Sequence, residues 1–246
     1  MLPPRTEILR VMPQGLNTPI VESLLSFVIR TAHANHVSVG KMVSQKIAVG
    51  KRLEALRFSE RLVGPSTAVS INGCGELTEL LVKRLEDLSR HTGLRRCTTL
   101  QFAHFTTNNG LLRPTHAWSP EFSLASKTAY YPLVWSLQSI MVCPVARSPL
   151  RALCPKCSSK VPALTGNAHI GRCPRCGGDL CRNPGTANPN DPICGGIIDL
   201  DYELWIADEV GAFIAAASRF IFPVDFSFSR ALRHWLQVFD LDTNTK

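Results

Sequence analysis

The sequence predicts a mainly α-helical protein carrying one small zinc-ribbon module. Three observations lead there: apolar residues recur at helical spacing in several separate stretches, one paired cysteine motif has metal-site spacing, and the composition is that of a chain with a conventional core. The 246 residues are 45% hydrophobic with nine cysteines, too long for a disulfide miniprotein and too apolar for a disordered chain. A chain of this length makes one large or two small domains and buries about 70% of its unfolded surface. We divide it into a helical N-terminal domain of helix-turn-helix type (1–118), a ribbon module (119–182) and an acidic helical C-terminal region (183–246).

The elements follow in order. Pro3, Pro4, Pro13 and Gly15 break regularity, so residues 1–17 read as an extended arm. Thr18-Pro19 has the form of a cap followed by a first-turn proline, and Ile20, Leu24, Phe27, Val28 and Thr31 then fall on one stripe of a first helix. His33-Ala34-Asn35-His36 ends it. Ser38 can cap a second helix that turns Val39, Met42, Val43 and Ile47 inward, and two short helices joined by a tight polar turn open a helix-turn-helix-like unit. After a loop over 64–75, Leu77, Leu80, Leu81, Leu85 and Leu88 line one side of the most amphipathic segment, Glu76 to Arg90, which Thr92-Gly93-Leu94 stops with glycine in the left-handed position. Residues 106–128 look irregular and Tyr130 to Val142 is an apolar run. The tail reads as two helices, about Leu200–Phe220 and Ser227–Phe239, separated by Pro223.

The formal net charge is +8, distributed as +7 over 1–118, +6 over 119–182 and −5 over 183–246. Clustered positive charge suits a polyanion-facing surface, because phosphate contacts release counterions; it also simply keeps proteins soluble. Glu7 and Arg10 interrupt the N-terminus before a signal-peptide apolar region can form. The uncharged stretch from Thr128 to Ala146 contains two prolines and is short of the ~20 apolar residues a span needs. We therefore expect a cytoplasmic protein without a membrane partner.

Cys154-Pro155-Lys156-Cys157 and Cys173-Pro174-Arg175-Cys176 form C-x2-C, fifteen residues, then C-x2-C. Each two-residue loop brings a sulfur pair to one edge of a tetrahedron, and the hairpin returns the second pair to a Zn²⁺ ion, with no open coordination position. A redox dithiol needs one such motif in a βαβ setting, and disulfides need an oxidising compartment. Four thiolates on Zn²⁺ leave a net −2, which Lys156, Arg172 and Arg175 help neutralise. Gly177-Gly178 lets the backbone approach sulfur and turn with positive φ. Cys181 reads as buried, Cys194 lies in a loop, and of the scattered histidines His169 stands out, inside the ribbon hairpin. Candidate phosphate or partner contacts are Lys41, Lys46, Arg95, Arg96, Lys156, Arg172 and Arg175, the last two because knuckle residues project outward. There is no phosphate-cradling glycine loop, G-x-S-x-G elbow or H-E-x-x-H helix, and Asp199 and Asp201 read as a solvated face. We expect no enzymatic activity.

Pro19-Ile20-Val21-Glu22-Ser23-Leu24-Leu25-Ser26, then Arg30-Thr31-Ala32 and Asn35, resembles the opening of the TniQ family, whose members begin with Pro-x-x-Glu-Ser-Leu-x-Ser, an Arg-x-Ala and an Asn. Asp87-Leu88 through Thr92-Gly93, Trp135, Cys143-Pro144, Leu150, both C-x2-C motifs and Leu180 are similar to later parts of that family, so that the resemblance spans roughly residues 10–182. The family commonly has a first zinc site made from an upstream C-x-x-C and a C-x-x-H. Here Ala146 stands at the histidine position and no C-x-x-C lies upstream, which implies a first site that has lost its metal and survives as a packed apolar module.

The resemblance implies a non-enzymatic targeting factor of transposition, a protein that links target recognition to an AAA+ ATPase regulator recruiting the transposase. At this length it implies the CRISPR-associated kind, with a guide-RNA effector complex on DNA as the other partner. The alternative is a site-specific DNA-binding protein, in which the helix bearing Lys41, Gln45 and Lys46 enters a major groove. A third reading is a zinc-stabilised structural protein without nucleic-acid contact. Monomer and homodimer are both compatible with the sequence.

Overall fold

The computed structural model describes residues 6–49, 71–103, 110–182, 190–193 and 196–217. It is mostly helical, with few strands. Helix α1, Leu24–Ala34, begins at Ser23, whose hydroxyl accepts from the Ser26 N–H. This corrects the predicted start at Thr18. The Thr18 hydroxyl instead donates to the Gly15 carbonyl, closing a turn, and the extended Ser23 supplies the cap. Helix α2, Val39–Met42, is capped by Ser38 as expected, and it continues as a π-helical turn over Val43–Ile47. Val39, Met42, Val43 and Ile47 all face inward.

Helix α3, Glu76–Ser89, sets Glu76 and Glu79 in its first turn, where the helix dipole favours them. Leu81, Leu85 and Leu88 are buried, while Leu77 and Leu80 pack at the edge of the core. Its end corrects a second expectation. Arg90, with φ +56°, takes the left-handed position, and Gly93, φ +90°, instead opens a 3-10 turn, Leu94–Cys97. A further 3-10 turn covers Thr99–Phe102. Within the stretch read as irregular, Ser119 caps a short helix α4, Pro120–Ala125. The apolar run after Tyr130 is interior: Leu133, Val134, Trp135, Ile140 and Val142 are buried, partly in a 3-10 turn, Leu133–Ser136. Strands β1, Val142–Cys143, and β2, Ser148–Pro149, pair antiparallel. Helix α5, Leu200–Ala217, is capped by Asp199, whose carboxylate accepts from the N–H groups of Asp201 and Tyr202. The predicted helix Ser227–Phe239 lies outside the described residues. No helix among the described residues is long and apolar enough to cross a membrane.

Buried residues from all three sequence segments, Ile8 through Ala217, join one hydrophobic core. The N-terminal motif explains how. Glu22 is fully buried and accepts from the Gln14 N–H (3.1 Å), the Ser26 hydroxyl (2.8 Å) and the Arg30 guanidinium. Burial nevertheless holds the Glu22 carboxyl above its ordinary value, against the pull of Arg30. Ser26 also accepts from the Tyr131 N–H (3.0 Å), and Asn35 accepts from the Leu9 N–H (2.9 Å). The motif residues thus pin the arm to α1 and α1 to the Tyr131 segment. On the far side, α5 packs against β1 and the 133–136 turn. Gly211 passes so close to Pro19 that a Cβ there would lie 2.9 Å from the proline Cβ.

Candidate metal centre

The two C-x2-C motifs fold as knuckles of the same form. In each, the fifth residue turns back so that its N–H donates to the first cysteine's carbonyl: Ser158 to Cys154 at 2.8 Å and Gly177 to Cys173 at 2.9 Å. Both turning residues have positive φ, +53° and +68°. Leu153 pairs with Lys160 and Arg172 with Asp179, so each knuckle sits on its own antiparallel pairing at the same register. Gly178 donates to the Cys176 sulfur (3.4 Å), and a Cβ on it would stand 3.2 Å from that sulfur and 3.0 Å from the Lys156 Cβ.

Folding brings Cys154, Cys157, Cys173 and Cys176 together with their sulfurs all within 4.8 Å of one another. Zn–S bonds of about 2.3 Å in a tetrahedron place neighbouring sulfurs about 3.8 Å apart. Cys154 and Cys176 are 3.7 Å apart at Sγ, Cys157 and Cys173 3.8 Å. A disulfide would close that gap to about 2.0 Å. The cluster therefore fits one tetrahedral metal ion. Two of the sulfurs are pulled in opposite directions: the Ser159 N–H, then its hydroxyl, bring Cys157 down to about 6, whereas burial pushes Cys154 up to about 12. A divalent cation removes that asymmetry by favouring every thiolate.

The segment Cys143-Pro144-Val145-Ala146-Arg147 has the same form. Arg147 donates to the Cys143 carbonyl at 2.8 Å with φ +50°, and Val142 pairs with Pro149 at the register of the other two knuckles. Its single sulfur is fully buried and accepts from the Ala146 N–H at 3.3 Å. Burial raises this thiol, and the Ser119 and Trp135 side chains also face it.

The remaining predicted contacts do not converge. Lys41 is exposed. Lys46, also exposed, reaches Glu7 at 3.8 Å. Arg95 pairs with Glu79 at 2.8 Å and also donates to the Leu100 carbonyl, while Arg96 is half-buried beside it. Lys156 lays its stem on Gly178. Arg175 donates to the Ser159 hydroxyl (2.6 Å) and Arg172 to the Gly177 carbonyl (3.4 Å), so both brace the ribbon. Cys181 is half-buried rather than interior, and Cys194 lies outside the described residues.

Sequence reasoning missed two polar anchors, one buried and one half-buried. Asp191, 1% exposed, accepts from the N–H groups of Ala152 and Leu153 at the ribbon's entry. Arg113 donates to the carbonyls of Leu137, Gln138 and Ile140 and is lowered to about 10 by burial. No motif marks either: Asp191 follows Asn188-Pro189-Asn190 in a stretch of loop composition, and Arg113 follows Leu111-Leu112. The cavity that Arg113, His116, Tyr131 and Trp135 help line has a volume of about 20 Å³, room for one water and no substrate.

His169 does take part in something. Its ring packs against His33, centroids 3.9 Å apart and the rings tilted by 40°, and the ribbon hairpin meets the first turn of α2 through a Gly40 N–H to Gly166 carbonyl bond of 3.0 Å. Tyr131 adds a third tie by accepting from the Gly171 N–H at 2.9 Å. In comparisons with known proteins, no family model matches this chain and no curated protein matches it.

Proposed function

We propose that this chain is a non-enzymatic adaptor of transposition, joining a CRISPR effector complex on DNA to an AAA+ ATPase that recruits the transposase. In this reading Cys154, Cys157, Cys173 and Cys176 hold Zn²⁺, which supplies structural cross-linking and no reactive position. The supporting observation is that the motif residues behind the resemblance to the TniQ family act as one physical unit. Glu22, Ser23, Ser26 and Arg30 share a hydrogen-bonded network at the start of α1, Asn35 at its end holds the arm through Leu9, and the end of α1 and the start of α2 carry the contacts of the ribbon. The triple knuckle agrees with a lost first metal site at Cys143. The charge distribution suits two partners of opposite sign: a basic body for nucleic acid, and an α5 region, 196–217, that holds five acidic residues and no basic one.

The test is assembly. The purified chain mixed with an AAA+ ATPase regulator of CRISPR-associated transposition, in the presence of ATP and DNA, should co-migrate with the ATPase in size-exclusion chromatography. Separate elution under those conditions removes the adaptor reading. Direct site-specific DNA binding is the second reading, favoured by the exposed Lys41, Ser44, Gln45 and Lys46 on α2 and its π-helical extension. It requires the isolated chain to prefer a cognate duplex by ~10³-fold or more.

A further inference from the structure

The docking of the ribbon on the α1–α2 turn leaves an open cleft of about 510 Å³, a volume in the range of ligand pockets. Its polar wall is His33, His36, Ser38, Asn167 and His169, over a floor that includes Val37 and Val39. Among the described residues no carboxylate lines it. His33 Nε2 faces the Ala168 carbonyl at 3.1 Å, and a carbonyl only accepts, so Nε2 carries the proton and Nδ1 is left as an acceptor. Burial, then the neighbouring His169, keeps His33 below its ordinary pKa, so it is neutral at neutral pH. His36 and His169 are exposed. Asn167 donates to the Pro174 carbonyl (3.4 Å), which places the wall against the second knuckle and its exposed Arg175, while Lys41 follows Ser38 by one helical turn.

We propose that this cleft binds a single-stranded nucleic-acid segment, stacking one unpaired base on the exposed His169 ring and meeting the phosphodiester with the imidazole N–H of His36, the Ser38 hydroxyl and the Asn167 amide. The ligand follows from the chemistry. An aromatic ring beside donors with no carboxylate selects an anion that also has a π-face, and the exposed cations nearby fit a polyanion. A metal is the poorer occupant: among the described residues only the four cysteines gather three or more ligand atoms. Duplex DNA is also poorer, because its bases are already stacked. The proposal rests on the nucleic-acid side of the adaptor reading and gives it a location away from the metal-binding sulfurs.

The experiment uses the full-length, zinc-loaded chain and fluorescein-labelled oligonucleotides of about 12 nucleotides: oligouridine RNA, oligothymidine DNA and a blunt duplex, followed by anisotropy. Both single strands should bind more tightly than the duplex. His169→Ala and Asn167→Asp should each weaken single-strand binding about tenfold, the scale of one lost base stack, with metal content and melting temperature unchanged. RNA binding more tightly than DNA identifies the 2′-hydroxyl as part of the recognition; equal binding identifies the shared phosphodiester and base, and either supports the cleft. Variants that bind like the parent, or a duplex that binds as well as the single strands, overturn it. Loss of the cleft with ATPase co-migration intact leaves the adaptor reading standing, and the reverse outcome removes that reading alone.

Discussion

Glu22 and Arg30 show how a residue pair that looks functional in sequence can be spent on structure. The carboxylate is fully buried and Arg30 is its charged partner. Removing one partner of a buried pair leaves an uncompensated charge, so Arg30→Met should destabilise the protein by about 3–5 kcal/mol in urea titrations, and adding Glu22→Gln should recover much of that loss. Equal stability of Arg30→Met and the parent would show that Glu22 is not held as a charge. His116 offers a second test. Burial lowers its imidazole to about 4, with the Tyr131 ring 4.4 Å away. The unfolded chain therefore binds a proton that the folded one refuses between about pH 6.5 and pH 4, and stability falls as pH drops through that window. Because His116 keeps partial contact with solvent, we expect about 1–2 kcal/mol. His116→Phe should flatten that part of the stability–pH curve, and an NMR titration midpoint of the ordinary kind for His116 would contradict the assignment.

At the scale of elements, periodicity marked α1, α2, α3 and α5, because each has an apolar stripe that meets one core. The ends were harder to read. Thr18-Pro19 and Ser23 are both good cap sequences, and the choice of Ser23 depends on Glu22 being drawn inside by Gln14, Ser26 and Arg30, contacts that reach eight residues along the chain. Gly93 lost the helix end to Arg90, since Leu94 is held by its N–H on the Glu86 carboxylate (2.8 Å). The cysteine spacing marked both knuckles of the four-cysteine cluster completely. The third knuckle was only half legible: Cys143-Pro144 hints at it, but Ala146 removes the second ligand, and only the backbone reveals the retained turn. α5 is joined by close packing that a helical pattern does not encode. Gly211→Ala should force α5 away from Pro19 and cost about 1–3 kcal/mol, read as a lowered melting temperature; an unchanged one would mean α5 shifts freely.

For the whole molecule, the ribbon is a strut of the fold and not an appendage. Its hairpin is tied to the end of α1 by His33–Ala168, to α2 by Gly40–Gly166 and to the Tyr131 segment by Tyr131–Gly171, and Trp118 donates to the Leu180 carbonyl at 3.0 Å. Structural zinc contributes ~10 kcal/mol in small fingers. Cys157→Ser or chelation should therefore unfold the ribbon first and expose the amides of Gly40 and Gly171 to hydrogen exchange while α3 stays protected. Simultaneous loss of protection in α3 would show that the ribbon and the helical body are one cooperative unit. None of these ties has a sequence signature: each joins residues distant along the chain, and the side chains of His33, Tyr131 and Trp118 meet backbone groups that every residue carries.

The most direct measurement is elemental analysis of the purified, natively folded protein together with a count of reactive thiols. One zinc per chain, with Cys154, Cys157, Cys173 and Cys176 protected from alkylation until a chelator is added, is the predicted result. A well-folded protein free of metal, with those four thiols reactive or joined as disulfides, would contradict it.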